Sequence, residues 1–519
     1  MYYHRVRLDR SNGLIFLNYN MPIFLRKLIG NVFFFPSVIF AVCVWRIFVP
    51  QLPSNSGLGW DGYRYFTLVS EGLQSSSLDS YLVLRIFPLL LIHIVFKLFG
   101  IAFAPASVIL AFKIMNTILI TCSVWMVKKI FEHYKLSLTS QLIGMVIVFL
   151  NYAVLNFTFY YPVMTDTPAF FLSVALFFFF IRGELLNIAL VGLIGAFTFP
   201  VLLPMALALI LFPNKNIEFV PFKKTSLFVL GCVCCAYALV MGWYLIFVKQ
   251  EKVDLLYALP LSYGMLPVSF FSVALLYYFM PLVLGNKTFL RLGYFRSQFS
   301  ANRIVLVAVV LIFFALVRAA IPVNSTSEYT SLYHQIKIHL FYAFQRPMIT
   351  VVNHFNYYGS IMLLLILFWK KFAVFISRFG LGMAMSILFI FLVFAMKPES
   401  RALIFFFPWL MILMSLFLGQ YKFGSTFYLL ILLINFATAK LWLFFNYDDN
   451  SGNILPDGTI DFPNQWFFMN LGIWETEKVW LWLGISAVVC LCLLIFSLYN
   501  ITFGKKAILF YKNYNPINL

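Results

Sequence analysis

Residues 57–66 read GLGWDGYRYF and place a carboxylate, Asp61, shortly after a long apolar segment ends. A second acid, Asp166, stands between Pro162 and Pro168 in FYYPVMTDTPAFFLSVALFFFFI (159–181), at the mouth of another apolar run. In KPESRALIFFFPWLMI (397–412), Glu399 and Arg401 open a third. Arg85, three residues before Pro88, is placed in the same way. A positioned carboxylate can take a proton from a hydroxyl, and an arginine fork suits a phosphate or diphosphate. Each residue also has a plainer reading. Asp61 could cap the helix that follows it, and Thr165 or Asp166 the next one, with Pro168 in its first turn. Arg401 could snorkel to lipid headgroups. An ionisable group near the start of a membrane span is costly when it faces lipid, and usually faces a cavity or a partner. Sequence alone leaves both readings open.

The elements that must position these residues follow from composition. The chain has 519 residues, 63% hydrophobic and 11% charged, with 63 phenylalanines. Soluble domains carry about 25% charged residues, so this chain has too few polar groups to cover a water-exposed surface. Its apolar residues come in runs of membrane-spanning length. The net charge of +19 comes from 37 basic and 18 acidic residues. In such a chain it reflects Lys and Arg in cytoplasmic loops that meet anionic lipid. No nucleic-acid-reading motif or large soluble domain is present, so nucleic acid is not an expected partner. The seven cysteines, three of them at 232, 234 and 235, lie mostly in apolar runs and read as small hydrophobes. The basic start YYHRVRLDR leads into an apolar stretch without an evident cleavage site, which reads as a retained first span.

Fourteen apolar segments lie between 29–49 and 479–499, which predicts an all-α, polytopic fold of about 12–14 spans. Residues 1–28 form a cytoplasmic N-terminus. Residues 29–396 form a transmembrane core with outer loops 50–80 and 322–356. Residues 397–519 form a C-terminal transmembrane region with outer loop 446–478. The basic N-terminus and Lys505, Lys506 and Lys512 both argue for cytoplasmic ends. A plain count then places Asp61 and Asp166 on opposite faces and puts Lys128, Lys129 and Lys135 outside. The preferred remedy is a single crossing within 81–127, the rest lying along the interface. It also needs a split of 184–212 at Phe199–Pro200, where proline breaks the helix.

The order of these elements resembles the GT-C superfamily of polytopic glycosyltransferases. An outer loop with Asp-Gly-x-x-Tyr comes first, then Arg-x-x-Pro in RIFPLLLIHIVFKLFG. Thr-Asp follows before a helix in PVMTDTPAFFLSVALF, then the glycine-rich, broken LVGLIGAFTFPVLLPMALAL, and last ESRALIFFFPWLMIL. The resemblance covers roughly residues 25–215 and 397–410 and is nearest to protein mannosyltransferases and lipid-A aminoarabinose transferases. It implies a sugar donor carried on polyprenyl phosphate, and a lipid, glycan or protein acceptor at the outer membrane face. It implies that Asp61 and Asp166 are the two loop acids and that Arg85 and Arg401 hold donor phosphate. The family often pairs two acids in the first loop, where this chain has Asp-Gly. A basic residue often follows the glycine-rich break, where this chain has Phe199 and Pro200.

Such a transfer needs a base for the acceptor hydroxyl and a holder for the leaving phosphate. Asp61 is the expected base. Asp166 is expected to orient the acceptor or to hold an ion, Mg²⁺ or Mn²⁺, together with Asp61. In segment 322–356, Lys337 and Arg346 are candidates for donor phosphate or anionic headgroups. His334 and His339, five apart, fall on different faces of a helix and do not suggest zinc. Trp60, Tyr63 and Tyr65 are the candidate sugar or acceptor contacts, being rings beside polar residues. The expected location is a bacterial plasma membrane. Three other functions fit the same composition: a lipid-linked glycan polymerase or ligase, a transporter or flippase, and a non-catalytic assembly protein. The acids at span ends and the lack of a clear inverted repeat weigh against transport.

Overall fold

The computed structural model describes residues 23–49, 51, 55–75, 78–213, 217, 219–221, 224–248, 263–279, 283, 285–323, 340–394, 397–442, 453–454, 460–461 and 477–503. The chain is helical, and the one sheet among the described residues is a two-residue antiparallel pair, Asn453–Ile454 against Ile460–Asp461. Four helices are long and apolar enough to cross a membrane, and two bent pairs raise that number to six. Eight further apolar helices have 10–17 residues. This is a multi-pass helical membrane protein. At 1.5 Å per residue a 12-residue helix is about 18 Å long, well short of a hydrocarbon core of about 30 Å. For that reason helix length alone yields four to six spans against the 12–14 expected.

The first helices are α1 (Ile23–Gly30) and α2 (Phe34–Ile47). Next come α3 (Trp60–Glu71), α4 (Ile86–Phe99) and the 29-residue α5 (Pro105–His133). Helix α2 packs along α5, and the two meet at one end, where Lys113 Nζ donates to the carbonyls of Ile47 (2.9 Å) and Val49 (3.0 Å). Ile109, one turn earlier, lies against Gly57. Helix α4 starts beside Tyr65 and runs along α3 in the same direction, its His93 Nδ1 2.7 Å from the Val69 carbonyl. Both ends of the 85–109 stretch therefore lie at the Asp61 end, and α4 lies along α3 without crossing. Of α4 and α5, only α5 is long enough to cross a membrane.

Helix α6 (Leu138–Phe149) returns toward that end, bends by 56° into a π-helical turn at Ala153–Phe157, and leads to α7 (Asp166–Arg182). Helices α8 (Leu185–Ala196) and α9 (Leu202–Leu211) form a tight hairpin broken at Thr198–Val201. A Cβ on Gly192 would stand 2.5 Å from the Ala206 Cβ, and one on Gly195 2.6 Å from the Leu202 Cβ. Lipid offers little hydrophobic force between helices, so such small residues give close packing instead. The hairpin tip meets α4, where Phe87 N–H donates to the Phe197 carbonyl at 2.8 Å. These two features place Asp61 and Asp166 at the same end and Lys128 and Lys129 near the other.

Helices α10 (Lys224–Trp243), α11 (Leu266–Phe279), α12 (Leu292–Gln298) and α13 (Ala301–Ala320) follow. Helix α14 (Ile349–Tyr358) turns through 116° into α15 (Ile361–Ser377). The last helices are α16 (Leu381–Phe394), α17 (Phe407–Leu418), α18 (Ser425–Ala439) and α19 (Glu477–Phe503). Helix α17 is buried along its whole length and sits between α6, α7 and α15, so the core is built around it.

Candidate functional site

The glycines of GLGWDG let a tyrosine reach the start of α3. Gly59, with φ +71°, lies so close to Tyr161 that an added Cβ would be 2.3 Å from its ring. The Tyr161 hydroxyl accepts from the N–H of Asp61 (2.7 Å) and of Gly62 (3.2 Å). These are two of the donors that a helix start leaves without an internal partner. Tyr161, 100 residues away in sequence, thus caps α3, and the Asp61 side chain does not. The capping reading of Asp61 is overturned, and its carboxylate is turned outward.

That carboxylate meets Arg401, whose Nη2 lies 2.8 Å from Asp61 Oδ2. The same Nη2 is 3.0 Å from Glu399 Oε1, and Nη1 is 3.7 Å from the Met164 sulfur. Lys397 Nζ closes the chain at 2.9 Å from Glu399 Oε2. The Asp61 side chain is 34% exposed and that of Arg401 26%, so this array is open at one side. Burial works to raise Glu399, but Lys397 and Arg401 outweigh it and hold the carboxyl far below the usual range. Burial likewise opposes the charge on Arg401, and Asp61, Glu399 and Asp166 overcome it, so the guanidinium stays charged.

Beside this array stand Arg85 and Asp166. Arg85 Nη1 donates to the Thr165 hydroxyl at 2.9 Å, and its guanidinium lies 4.5 Å from the ring centres of both Tyr81 and Phe199. Phe199, from the break between α8 and α9, thus shapes the arginine site where a basic residue was expected. Arg85 pairs with no carboxylate among the described residues. Asp166 is the first residue of α7, ahead of the apolar stretch 168–181, and is 6% exposed. Its carboxylate has no hydrogen bond or ion pair among the described residues. Burial pushes it up to about 6, against the pull of Arg401 and Arg85.

The loop that carries Arg401 is braced by α14. Asn353 Nδ2 donates to the Pro398 carbonyl (3.3 Å), and the Tyr358 hydroxyl donates to the Ser400 carbonyl (2.7 Å). His354 Nδ1 lies 2.8 Å from the Ser400 hydroxyl. The Tyr358 ring stacks on Phe407 at 3.7 Å.

Of the residues singled out in the sequence, Asp61, Asp166, Arg85 and Arg401 come together. Glu399, noted beside Arg401, joins them. Thr165, half of the Thr-Asp pair, joins them through Arg85, while Tyr161 and Lys397 were missed, since no local pattern marks a tyrosine that caps a helix 100 residues away. Tyr65 is 1% exposed and packs inside, which corrects its assignment as a sugar contact. Tyr63 is 56% exposed. The Trp60 side chain and Lys337 lie outside the described residues. Arg346 is 5% exposed, three residues ahead of α14, and makes none of the contacts above.

Among the described residues no three His, Cys, Asp or Glu side chains are grouped to hold a metal ion. The donor set also fits a divalent cation poorly, because a guanidinium already occupies Asp61 and two guanidinium groups bear on Asp166. No protein-family profile matches the chain, and neither a curated protein nor a solved structure matches it.

Proposed function

We propose that this protein is a membrane glycosyltransferase that moves a sugar from a polyprenyl-phosphate-linked donor to an acceptor hydroxyl. The observation that carries this reading is the convergence of three acids, Asp61, Asp166 and Glu399, with three bases, Arg85, Lys397 and Arg401. They come from the starts of α3, α4 and α7 and from the loop before α17, and they meet at one end of the bundle. Equal numbers of acids and bases leave the site near neutral.

Arg85 suits the donor phosphate best. Its fork has no carboxylate partner among the described residues, and two rings and Thr165 fix its plane. A preset cation of this kind stabilises the charge that develops on a leaving phosphate. Arg401 stands close enough to share that load, while Asp61 and Glu399 hold its guanidinium in place. The acids supply a proton acceptor for the incoming hydroxyl. The outer end of the bundle, and a bacterial plasma membrane, remain the expected setting.

The test offers purified protein in lipid a panel of radiolabelled polyprenyl-phosphate sugars, wild type beside Arg85→Gln. Wild type should release label. Arg85→Gln should lower kcat/KM for the donor by roughly 10-fold or more, as expected for losing a charged hydrogen bond of about 1.5–3 kcal/mol. No release across the panel from a folded wild type would reject the transferase reading in favour of a transporter or an assembly protein.

A further inference from the structure

We infer that Asp166 is the proton acceptor of this site and that Asp61 is a positioning residue that holds Arg401. The inference rests on the transferase reading above and departs from the sequence expectation, which gave the base role to Asp61.

The two carboxylates differ in commitment. Asp61 Oδ2 is engaged by Arg401 at 2.8 Å, and the same guanidinium is tied to Glu399 at 3.0 Å. To take a proton, even on Oδ1, Asp61 must lose the negative charge that its Oδ2 presents to Arg401, leaving that guanidinium with one carboxylate fewer. Asp166 has no such bond to lose among the described residues, although it is 6% exposed. The chain on either side of it is clasped. Met164 touches Arg401 at 3.7 Å, and Thr165 accepts from Arg85 at 2.9 Å. An uncommitted carboxylate is thereby fixed one residue from the contact of the arginine best suited to the donor phosphate.

The charged and titratable groups that bear on Asp166 are Arg401 and Glu399 from the loop before α17, Arg85 from the start of α4, Asp61 from α3, and Tyr357 and Tyr358 from α14. Burial brings Asp166 up to about 6, nearer to neutrality than an ordinary carboxylate, which favours a general base. In the step, the acceptor hydroxyl gives its proton to the Asp166 carboxylate. The acceptor oxygen bonds to the anomeric carbon as the bond from that carbon to the phosphate oxygen breaks. The electron pair leaves with the polyprenyl phosphate, whose added negative charge Arg85 faces.

Two measurements test this. The first is the pH dependence of donor turnover for wild type, Asp166→Asn and Asp61→Asn. Wild-type kcat should rise as pH increases through about 6 and then level off. Asp166→Asn should lose at least about 100-fold in kcat, with its residual rate flat across that range. Asp61→Asn should keep the pH limb and show its main loss in donor KM. Loss of the limb in Asp61→Asn, or a kcat within about 10-fold of wild type in Asp166→Asn, overturns the inference. The second measurement needs no turnover. Dicyclohexylcarbodiimide, which modifies protonated carboxyl groups in apolar sites, should label Asp166 increasingly as pH falls through about 6 and should spare Asp61. Label on Asp61 and not on Asp166 overturns the assignment even when no donor is turned over. Label on Asp166 with an inactive wild type rejects the transferase reading alone.

Discussion

Tyr161 decides what Asp61 can do. A carboxylate near a helix start is drawn to the free N–H groups, and here a phenol has taken them. Tyr161→Phe removes that acceptor and leaves two donors to be met by other groups. We expect a loss of about 1 kcal/mol or more, read as a lower Tm in detergent. We also expect weaker donor binding, as Asp61 competes for the vacated N–H groups and loosens its hold on Arg401. The Asp166 carboxyl is raised, so the fold favours its protonated form. Stability from this group is complete below the ordinary carboxylate range and is lost as pH rises through about 6. Asp166→Asn should accordingly gain Tm relative to wild type at pH 8, with a smaller gain at pH 4.5. An equal gain at both values would show that the carboxyl does not titrate in this range.

At the scale of elements, the site depends on two contacts that no helix makes alone. One is the close approach of Tyr161 to Gly59, whose φ of +71° and ψ of −164° suit glycine and few other residues. Gly59→Ala adds a clash to that strain and should lower both Tm and turnover. Gly100→Ala, at φ +63° with open space around its Cβ, carries only the strain and serves as the control. The other contact is the brace of α14 on residues 398–400. Tyr358→Phe removes one hydrogen bond from the loop that aims Arg401, and it should cost about 1 kcal/mol in unfolding experiments. Much of this scale was legible in advance. Proline and Thr-Asp at 162–168 mark a helix start, and Phe199–Pro200 marks the break between α8 and α9. The brace was not legible, because hydrogen bonds spanning 42 to 46 residues leave no periodic trace.

Over the whole molecule, Asp61, Asp166 and Glu399 lie at one end, and Lys128, Lys129, Arg182, Arg378 and Lys422 lie toward the other, where Glu132 and Glu184 pair with three of them. The excess of Lys and Arg over acids at that second end makes it the expected cytoplasmic side. Tyr63→Cys and Lys422→Cys, both at exposed positions and each made in a chain whose seven native cysteines are replaced, should react with a membrane-impermeant thiol reagent from opposite sides of sealed vesicles. Reaction of both from one side would reject the orientation. The packing of α4 along α3 accounts for an arrangement that a plain count of apolar segments gets wrong, because α4 starts and ends near the Asp61 end and Asp166 then falls on the side of Asp61.

The sequence by itself determined the solvent and the building material. With 63% hydrophobic residues and 11% charged, the chain can only bury its surface in lipid, and apolar runs of about 20 residues satisfy their backbone there as helix. It also placed the acids at helix mouths, because proline, glycine and Thr-Asp act within a few residues. Only the tertiary structure decided which groups are bound and which are uncommitted. Asp61 meets Arg401 across 340 residues, and Tyr161 caps α3 across 100. Charge and hydrogen bonding act through space over a few ångströms, and a linear pattern carries no record of which distant residues the packing brings that close.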